Sequence, residues 1–407
     1  MTLASISVIM PTFNRAGFLA EALGSVLAQT RPVHEIIVWD DGSTDDTRAA
    51  VAGMAETPVP LRYFHAENAG KSRALNRAMA ETSGTHIWIC DDDDLCRPDA
   101  AEQMLAEMAR TGVSVVGGRY ARFGTDPATG QPMDPHPGYW PDLSEGSLLR
   151  HLLEDIFIFQ NATLATRAAY DRVGPFREDL PRSIDYDMII RLAARFPMGF
   201  VDAVLFEQRK HPGARGPAAA QHNAVDMDAV WRKIDQGIFR DFHGLLPLSL
   251  YEAMFEADDA ALARRAGLLQ RAAVYARHDL WEMALADFEA ASSIAEAGAL
   301  TPVEWQICVR AMAGKHGCGG ALVPAIARGL AGLCRNGPSG CTMARALARG
   351  LRWRVAEAMR ASAPGRAAAI AALMLRLGGP GVFLATPSGD PDRMAERHNL
   401  PAGAYGW

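Results

Sequence analysis

The chain reads as an α/β protein with a mainly parallel sheet flanked by helices, followed by an all-α C-terminal domain. Two observations predict this. β-rich runs at 5–10, 35–39, 61–64 and 86–90 alternate with amphipathic helical segments, the order that gives parallel strands joined by helical crossovers. After about Arg215 strand signals become few, and alanine and arginine recur on a helical period. At 407 residues the chain exceeds one ordinary domain.

Each element has its own warrant. Ser5–Met10 is β-rich, and Ala16–Gln29 sets Phe18, Leu19, Ala22, Leu23, Val26 and Leu27 at helical spacing. Glu35–Trp39 is a buried strand ending in Asp40-Asp41-Gly42-Ser43. Thr44–Met54 is then a helix with acidic residues in its first turn. Leu61–Phe64 is a short strand, Lys71–Glu81 a helix closed by Ser83-Gly84, and His86–Cys90 a strand. Asp126–Pro141 is crowded with Pro, Gly and Asp and reads as a long loop. Ser147–Glu154 and Asp185–Phe196 are helical. From Ala229 onward helical periodicity dominates, and Arg265–Glu296 spaces Ala272, Tyr275, Ala284, Phe288 and Ala291 much like one tetratricopeptide helix pair. One such pair cannot bury its own faces, so further helices must stack on it. The expected division is residues 1–215, a helical linker over 216–260, and a helical, tetratricopeptide-like domain over 261–407.

Composition narrows the class of function. A net charge of −6 without a basic excess argues against a nucleic-acid partner. The start has no basic region followed by a cleavage site, and the longest apolar candidate, Ala367–Leu375, is bounded by Arg366 and Arg376. Six scattered cysteines form neither a CxxC pair nor a zinc spacing, which suits reduced thiols in a cytoplasmic protein.

Chemistry concentrates at strand ends. Asp91–Asp94 close the run His86–Cys90, and four adjacent carboxylates repel one another unless a cation neutralises them. Hard divalent ions take oxygen ligands and keep phosphates in their shell, and strand tips of an open α/β sheet are where ligands bind. A solvated acidic turn is the plainer alternative. Three further pieces precede the run: Pro11-Thr12-Phe13-Asn14-Arg15, Asp40-Asp41-Gly42-Ser43-Thr44-Asp45, and Asn68-Ala69-Gly70-Lys71-Ser72-Arg73. Lys71 and Arg73 begin a helix, where free N–H groups and cationic side chains favour an anion.

In this order and spacing, from Ser5 to Gly213, the chain resembles the family 2 glycosyltransferases, inverting enzymes of the GT-A fold that use nucleotide sugars. The resemblance implies that Pro11, Thr12 and Asn14 lie along the nucleotide. It also implies that Asp41 or Asp40 accepts from the base, as suits uracil N3–H, and that UDP is the expected carrier. Lys71 and Arg73 would face the phosphates, Asp91 or Asp92 the ribose and metal shell, and Asp93 a bound Mn²⁺ or Mg²⁺. A run of four leaves the register open by one residue, and Asp94 is read as a cap for the next helix. Tyr139 and Trp140 either stack on a sugar face or anchor their loop. Ser183-Ile184-Asp185-Tyr186-Asp187 is similar to the family's Glu-Asp-Tyr-Asp segment, which places Asp185 on the catalytic base, with Asp187 as the fallback. Ile184 departs from the usual acid, and would either desolvate the base or mark altered acceptor choice. Gln208-Arg209-Lys210-His211-Pro212-Gly213 is similar to the family's Arg-x-His-Pro-Gly, making His211 a candidate for the metal or the diphosphate.

The function expected from this resemblance is transfer of a sugar from a nucleotide-sugar donor to a hydroxyl of a glycan or lipid-linked acceptor, in cell-envelope or exopolysaccharide synthesis. Basic residues beside apolar ones between Arg345 and Arg376 suit peripheral contact with the inner face of a membrane, or else form the helical domain's core and its solvated face. The helical half is also a candidate for homo-oligomer or protein-partner contacts. A non-catalytic nucleotide-binding scaffold with a helical interaction arm remains the alternative.

Overall fold

The computed structural model describes residues 4–54, 56–125, 132–210, 227–383 and 386–407. Two compact units are present, Met1–Pro141 with Ile156–Asn223, and Asp142–Asp155 with Ala224–Trp407.

In the first unit the strands are β1 (Ile6–Thr12), β2 (Glu35–Asp40), β3 (Leu61–His65), β4 (His86–Ile89), β5 (Leu95–Cys96), β6 (Val115–Thr125), β7 (Pro132–Pro137), β8 (Thr163–Thr166) and β9 (Met198–Lys210). The helices in chain order are α1 (Ala16–Leu27), α2 (Thr47–Ala52), α3 (Lys71–Glu81), α4 (Ala100–Thr111), α5 (Leu148–Glu154), α6 (Arg167–Val173) and α7 (Ile184–Arg195), of which α5 belongs to the second unit. Among the described residues one sheet runs β3-β2-β1-β4-β8-β6-β9-β5, with β7 paired to β6. The block β3-β2-β1-β4 is parallel, whereas β8 pairs antiparallel with both β4 and β6.

Both faces of this sheet are buried, and side-chain alternation sorts them. Ile6, Val8, Met10, Ile36, Val38 and Trp88 point to one core, where Leu19, Leu23 and Val26 of α1 and Met104 of α4 meet them. Ile9, Ile37, Trp39, Ile87 and Ile89 point to the other, against Leu75 of α3 and Ile184, Met188 and Leu192 of α7. Each such side chain taken out of water contributes about 1.5–3 kcal/mol, so register is strongly specified.

Two local expectations change. The helix expected from Thr44 to Met54 forms only over Thr47–Ala52. Its first residues are drawn into the end of β1 instead: Thr44 N–H donates to Asn14 Oδ1 (2.8 Å), and Asp45 Oδ2 accepts from Ala16 N–H (3.0 Å). The expected loop 126–141 contains β7, antiparallel to β6. Its prolines fit because β7 lies off the main strand path, paired to β6, and an edge strand tolerates proline. Trp140 packs edge-on against Phe157 at 4.9 Å with the Arg119 guanidinium 5.0 Å from its ring, which anchors the segment.

The second unit comprises α5, α8 (Met227–Leu245), α9 (Leu248–Glu252), α10 (Ala260–Arg277), α11 (Trp281–Ser292), α12 (Pro302–Ala311), α13 (Pro324–Gly332), α14 (Pro338–Gly350), α15 (Arg352–Arg360) and α16 (Pro364–Gly378), with a ribbon of β10 (Phe255–Ala257) and β11 (Met394–Glu396). A boundary at 215 would leave α5 in the first domain, but its buried Glu154 sits among Arg310 (3.2 Å), Arg277 (3.7 Å) and Gln270 (3.0 Å) of this unit. The span expected as a linker supplies α8 and α9. Ala272, Tyr275, Ala284, Phe288 and Ala291 are all fully buried. Arg265 and Glu304, both without exposure, pair at 2.6 Å, and Glu304 also closes a capping box with Thr301. Of the apolar stripe between Arg345 and Arg376, Leu347, Leu351, Ile370, Leu373 and Met374 are core. No described helix is long and apolar enough to cross a membrane.

Candidate active site

The parallel block has a switch point: β2 and β3 lie on one side of β1, and β4 on the other. β1 and β4 stay paired to Ile9 and Ile89, and Cys90 N–H still donates to Ile9 C=O at 2.9 Å. Pro11, two residues on, faces the same side without an N–H to offer. A proline in a central strand is tolerated here because the sheet is already opening. The crevice so formed receives the turns that follow β1, β2 and β4.

The first two turns brace each other. Asn14 takes the left-handed conformation at φ 53°, donates its N–H to Ser43 Oγ (2.8 Å) and accepts from Thr44. Asp40, 1% exposed, accepts from Ser43 N–H (2.7 Å) and from Tyr63 Oη, and lies 3.2 Å from His65 Nδ1. Burial opposes its charge, yet these hydrogen bonds hold its carboxyl below the ordinary carboxylate range. Asp40 is thus occupied by the protein itself. Asp41 accepts from Ala69 N–H and Gly70 N–H, both at 2.9 Å, and so fixes the loop that feeds α3.

The acidic run divides into distinct environments. One ligand oxygen from each of Asp91, Asp93 and Asp94 lies within 4.8 Å of the others. Asp92 is turned to Arg15, whose Nη1 bridges Asp92 Oδ1 (2.8 Å) and Asp93 Oδ2 (2.9 Å). Burial pushes the Asp92 carboxyl up to about 6 against the pull of Arg15, and the hydroxyl of Thr12 beside it favours the charged form. Asp91 accepts from Lys71 Nζ (2.5 Å) and from Gln160 Nε2 (2.6 Å). Asp94 accepts from Arg209 N–H (2.8 Å) and Asn161 Nδ2 (3.2 Å). Asp99, not Asp94, stands at the start of α4.

Of the other expected residues, Arg73 is directed elsewhere, pairing with Glu178 at 2.9 Å on the surface. Asp185, in the first turn of α7, feels the charges of Lys71 and Asp91, and burial holds its carboxyl above the usual range. Ile184 beside it is 7% exposed and belongs to the core. Asp187 is 1% exposed and gripped by Arg191 at 2.7 Å, while Arg191 also donates to the carbonyls of Val173, Gly174 and Pro175. His211 lies outside the described residues. Sequence reasoning missed Arg15, Gln160, Asn161 and Arg209. Arg15 and Arg209 stand inside motifs that were read without a role being given to them, whereas nothing local marks Gln160 and Asn161.

Residues 7–173 match the family model of Glycosyl transferase family 2. Over those residues the chain is similar to that family. An uncharacterized glycosyltransferase of Rickettsia felis is 27% identical to the chain over 231 residues, 56% of this chain and 37% of that protein. A chondroitin synthase of Escherichia coli is 26% identical over 210 residues, 51% and 29% of the two chains. The chain therefore spans about a third of the length of these relatives. The crystal structure of S. aureus TarS 1-349 in complex with UDP-GlcNAc superposes with a TM-score of 0.51 at 14% identity over 90% of each chain, a likeness of fold. Within the first unit, the turns after β1, β2 and β4 and the loop into α3 are among the segments on which the sequence resemblance rests.

Proposed function

We propose that the chain is a metal-dependent inverting glycosyltransferase moving a sugar from a nucleoside diphosphate, with UDP as carrier, to a hydroxyl of a glycan or lipid-linked acceptor in envelope or exopolysaccharide synthesis. One observation carries this reading. The Asp91, Asp93 and Asp94 oxygens converge at the crevice mouth, where Lys71 pairs with Asp91 and the half-buried Asp185 carboxyl feels the charges of both. A glycan acceptor is in keeping with the chondroitin synthase among the relatives.

Three convergent carboxylate oxygens fit a hard divalent ion such as Mn²⁺ or Mg²⁺. When bound, the ion neutralises charge on the departing nucleoside diphosphate. Asp93 is its principal ligand, with Asp91 and Asp94 beside it, and Arg15 limits the repulsion within the run. Pro11, Thr12, Asn14 and Asp41 shape the nucleoside wall. Lys71 sits where the phosphates would lie. Asp185 takes the proton of the acceptor hydroxyl as its oxygen bonds to the anomeric carbon, and the bond from that carbon to the diphosphate oxygen breaks on the opposite face.

A thermal-shift screen of UDP-, GDP- and dTDP-sugars with Mn²⁺ is expected to select a uridine donor. Asp93→Ala should lose ion and donor binding together. Full turnover by Asp93→Ala in excess chelator would overturn the reading.

A further inference from the structure

The helical unit holds a second ligand cluster that the donor crevice does not use. Asp235 on α8, His278 at the end of α10 and His316 after α12 bring one ligand atom each to within 4.8 Å of one another. Their separation in sequence gives no metal spacing, so only the fold assembles them. Asp235 and His278 are 1% and 0% exposed, and the His316 side chain is 8% exposed. Asp235 Oδ2 lies 3.2 Å from His316 Nε2.

His278 is held as ligating imidazoles are. Its ring stacks on Phe239 at 3.5 Å between centroids, and its Nε2 lies 2.9 Å from the Leu153 carbonyl oxygen. A backbone carbonyl can only accept, so Nε2 carries the hydrogen and Nδ1 keeps the lone pair. Leu153 precedes Glu154 on α5, so the same helix serves two buried polar groups of the unit.

We propose that Asp235, His278 and His316 form a binding site for one divalent transition-metal ion of the zinc class, which cross-links α8, the end of α10 and the segment after α12. Two imidazoles and one carboxylate suit zinc better than magnesium, which prefers oxygen throughout. That chemistry separates this site from the all-oxygen Asp91, Asp93 and Asp94. Lys315 is the competitor. Its Nζ is 2.7 Å from Asp235 Oδ2 and 3.6 Å from Asp155 Oδ1, so an arriving ion displaces the ammonium from Asp235 toward a carboxylate already near it.

The inference is independent of the donor-site reading, and its test keeps the two apart. The chain of 407 residues is stripped with chelator and dialysed against Zn²⁺ in excess Mg²⁺, and bound zinc is then counted. Wild type and Asp93→Ala should each retain one equivalent, with a raised melting temperature, and His316→Ala should lose both effects. Lys315→Met should bind zinc roughly tenfold more tightly or better, because an ammonium no longer competes at short range. Equal zinc in wild type and His316→Ala, loss of zinc in Asp93→Ala, or no zinc on either wild type or Lys315→Met would overturn the site.

Discussion

Asp185 and Asp187 stand two positions apart on α7 and meet opposite surroundings. Arg191 occupies Asp187 and ties it to three backbone carbonyls, so that carboxylate holds the segment before α7 in place. Asp185 faces Lys71 and Asp91 next to the buried Ile184, and burial favours its neutral form. An isoleucine where the family usually has an acid therefore does physical work: it removes one repulsive charge and some water. Asp185→Asn keeps the shape and removes the proton acceptor, so turnover should fall by about 10²-fold or more with donor affinity held. The sign of the pH effect follows from the raised carboxyl. A base must be ionised, so the acidic limb of kcat should lie above the ordinary carboxylate value near ~3.9 and disappear in Asp185→Asn. Asp187→Asn should instead lower the melting temperature. An inactive Asp187→Asn with native melting, beside an active Asp185→Asn, would reverse the two roles.

At the scale of elements, the turns and helix junctions hold the charged groups in register. Gly42 turns the chain after β2 at φ +90°, and a Cβ there would stand 2.8 Å from Asn68 N. Both the conformation and the backbone neighbour exclude a side chain. Gly42→Ala should cost roughly 1–3 kcal/mol in a denaturant melt. It should also weaken donor binding, since the displaced loop carries the Ala69 and Gly70 amides that Asp41 holds. In the helical unit Glu154 joins α5 to α10 and α12. Burial alone would raise its carboxyl, but Arg310, Arg277 and Arg150 hold it well below the usual range. Its stabilising contribution is therefore complete above the unfolded carboxylate value near ~4.3 and is lost as pH falls below it. Glu154→Gln should cost roughly 3–5 kcal/mol at neutral pH by leaving buried arginines under-paired. The wild-type advantage should shrink on acidification. A constant difference between the two melting curves from pH 7 downward would refute the linkage.

Across the whole molecule, what could be read in the sequence was whatever a local segment decides. The β1, β2 and β4 runs, the turns after them and the change to helix beyond 215 are each written within a dozen residues or so. Gln160 was not legible, and Arg209 was legible as part of its motif but not as a neighbour of the acidic run, because these contacts span 69 and 115 positions and no periodicity encodes them. Strand β7 was missed because its prolines argue against a strand unless its place beside β6 alone is known. The arginine-rich stretch was legible as amphipathic, but not as to which apolar residues are core. With most of that stripe buried, Trp353, Met359 and Leu375 remain 41%, 58% and 51% exposed, near exposed Arg345, Arg352, Arg360, Arg366 and Arg376. Three separated apolar side chains offer little area for insertion, so any membrane attachment must be mainly electrostatic. Each arginine held close to an anionic surface adds roughly 1 kcal/mol, and salt screens it. The chain should therefore float with anionic vesicles at low salt, stay behind with neutral ones, and leave the anionic ones at high salt. Arg352→Glu with Arg360→Glu should abolish flotation, and Trp353→Ala should not. Protein that remains in the soluble fraction with both lipid compositions would end the membrane contact and leave the helical unit as a surface for protein partners or a second copy of the chain.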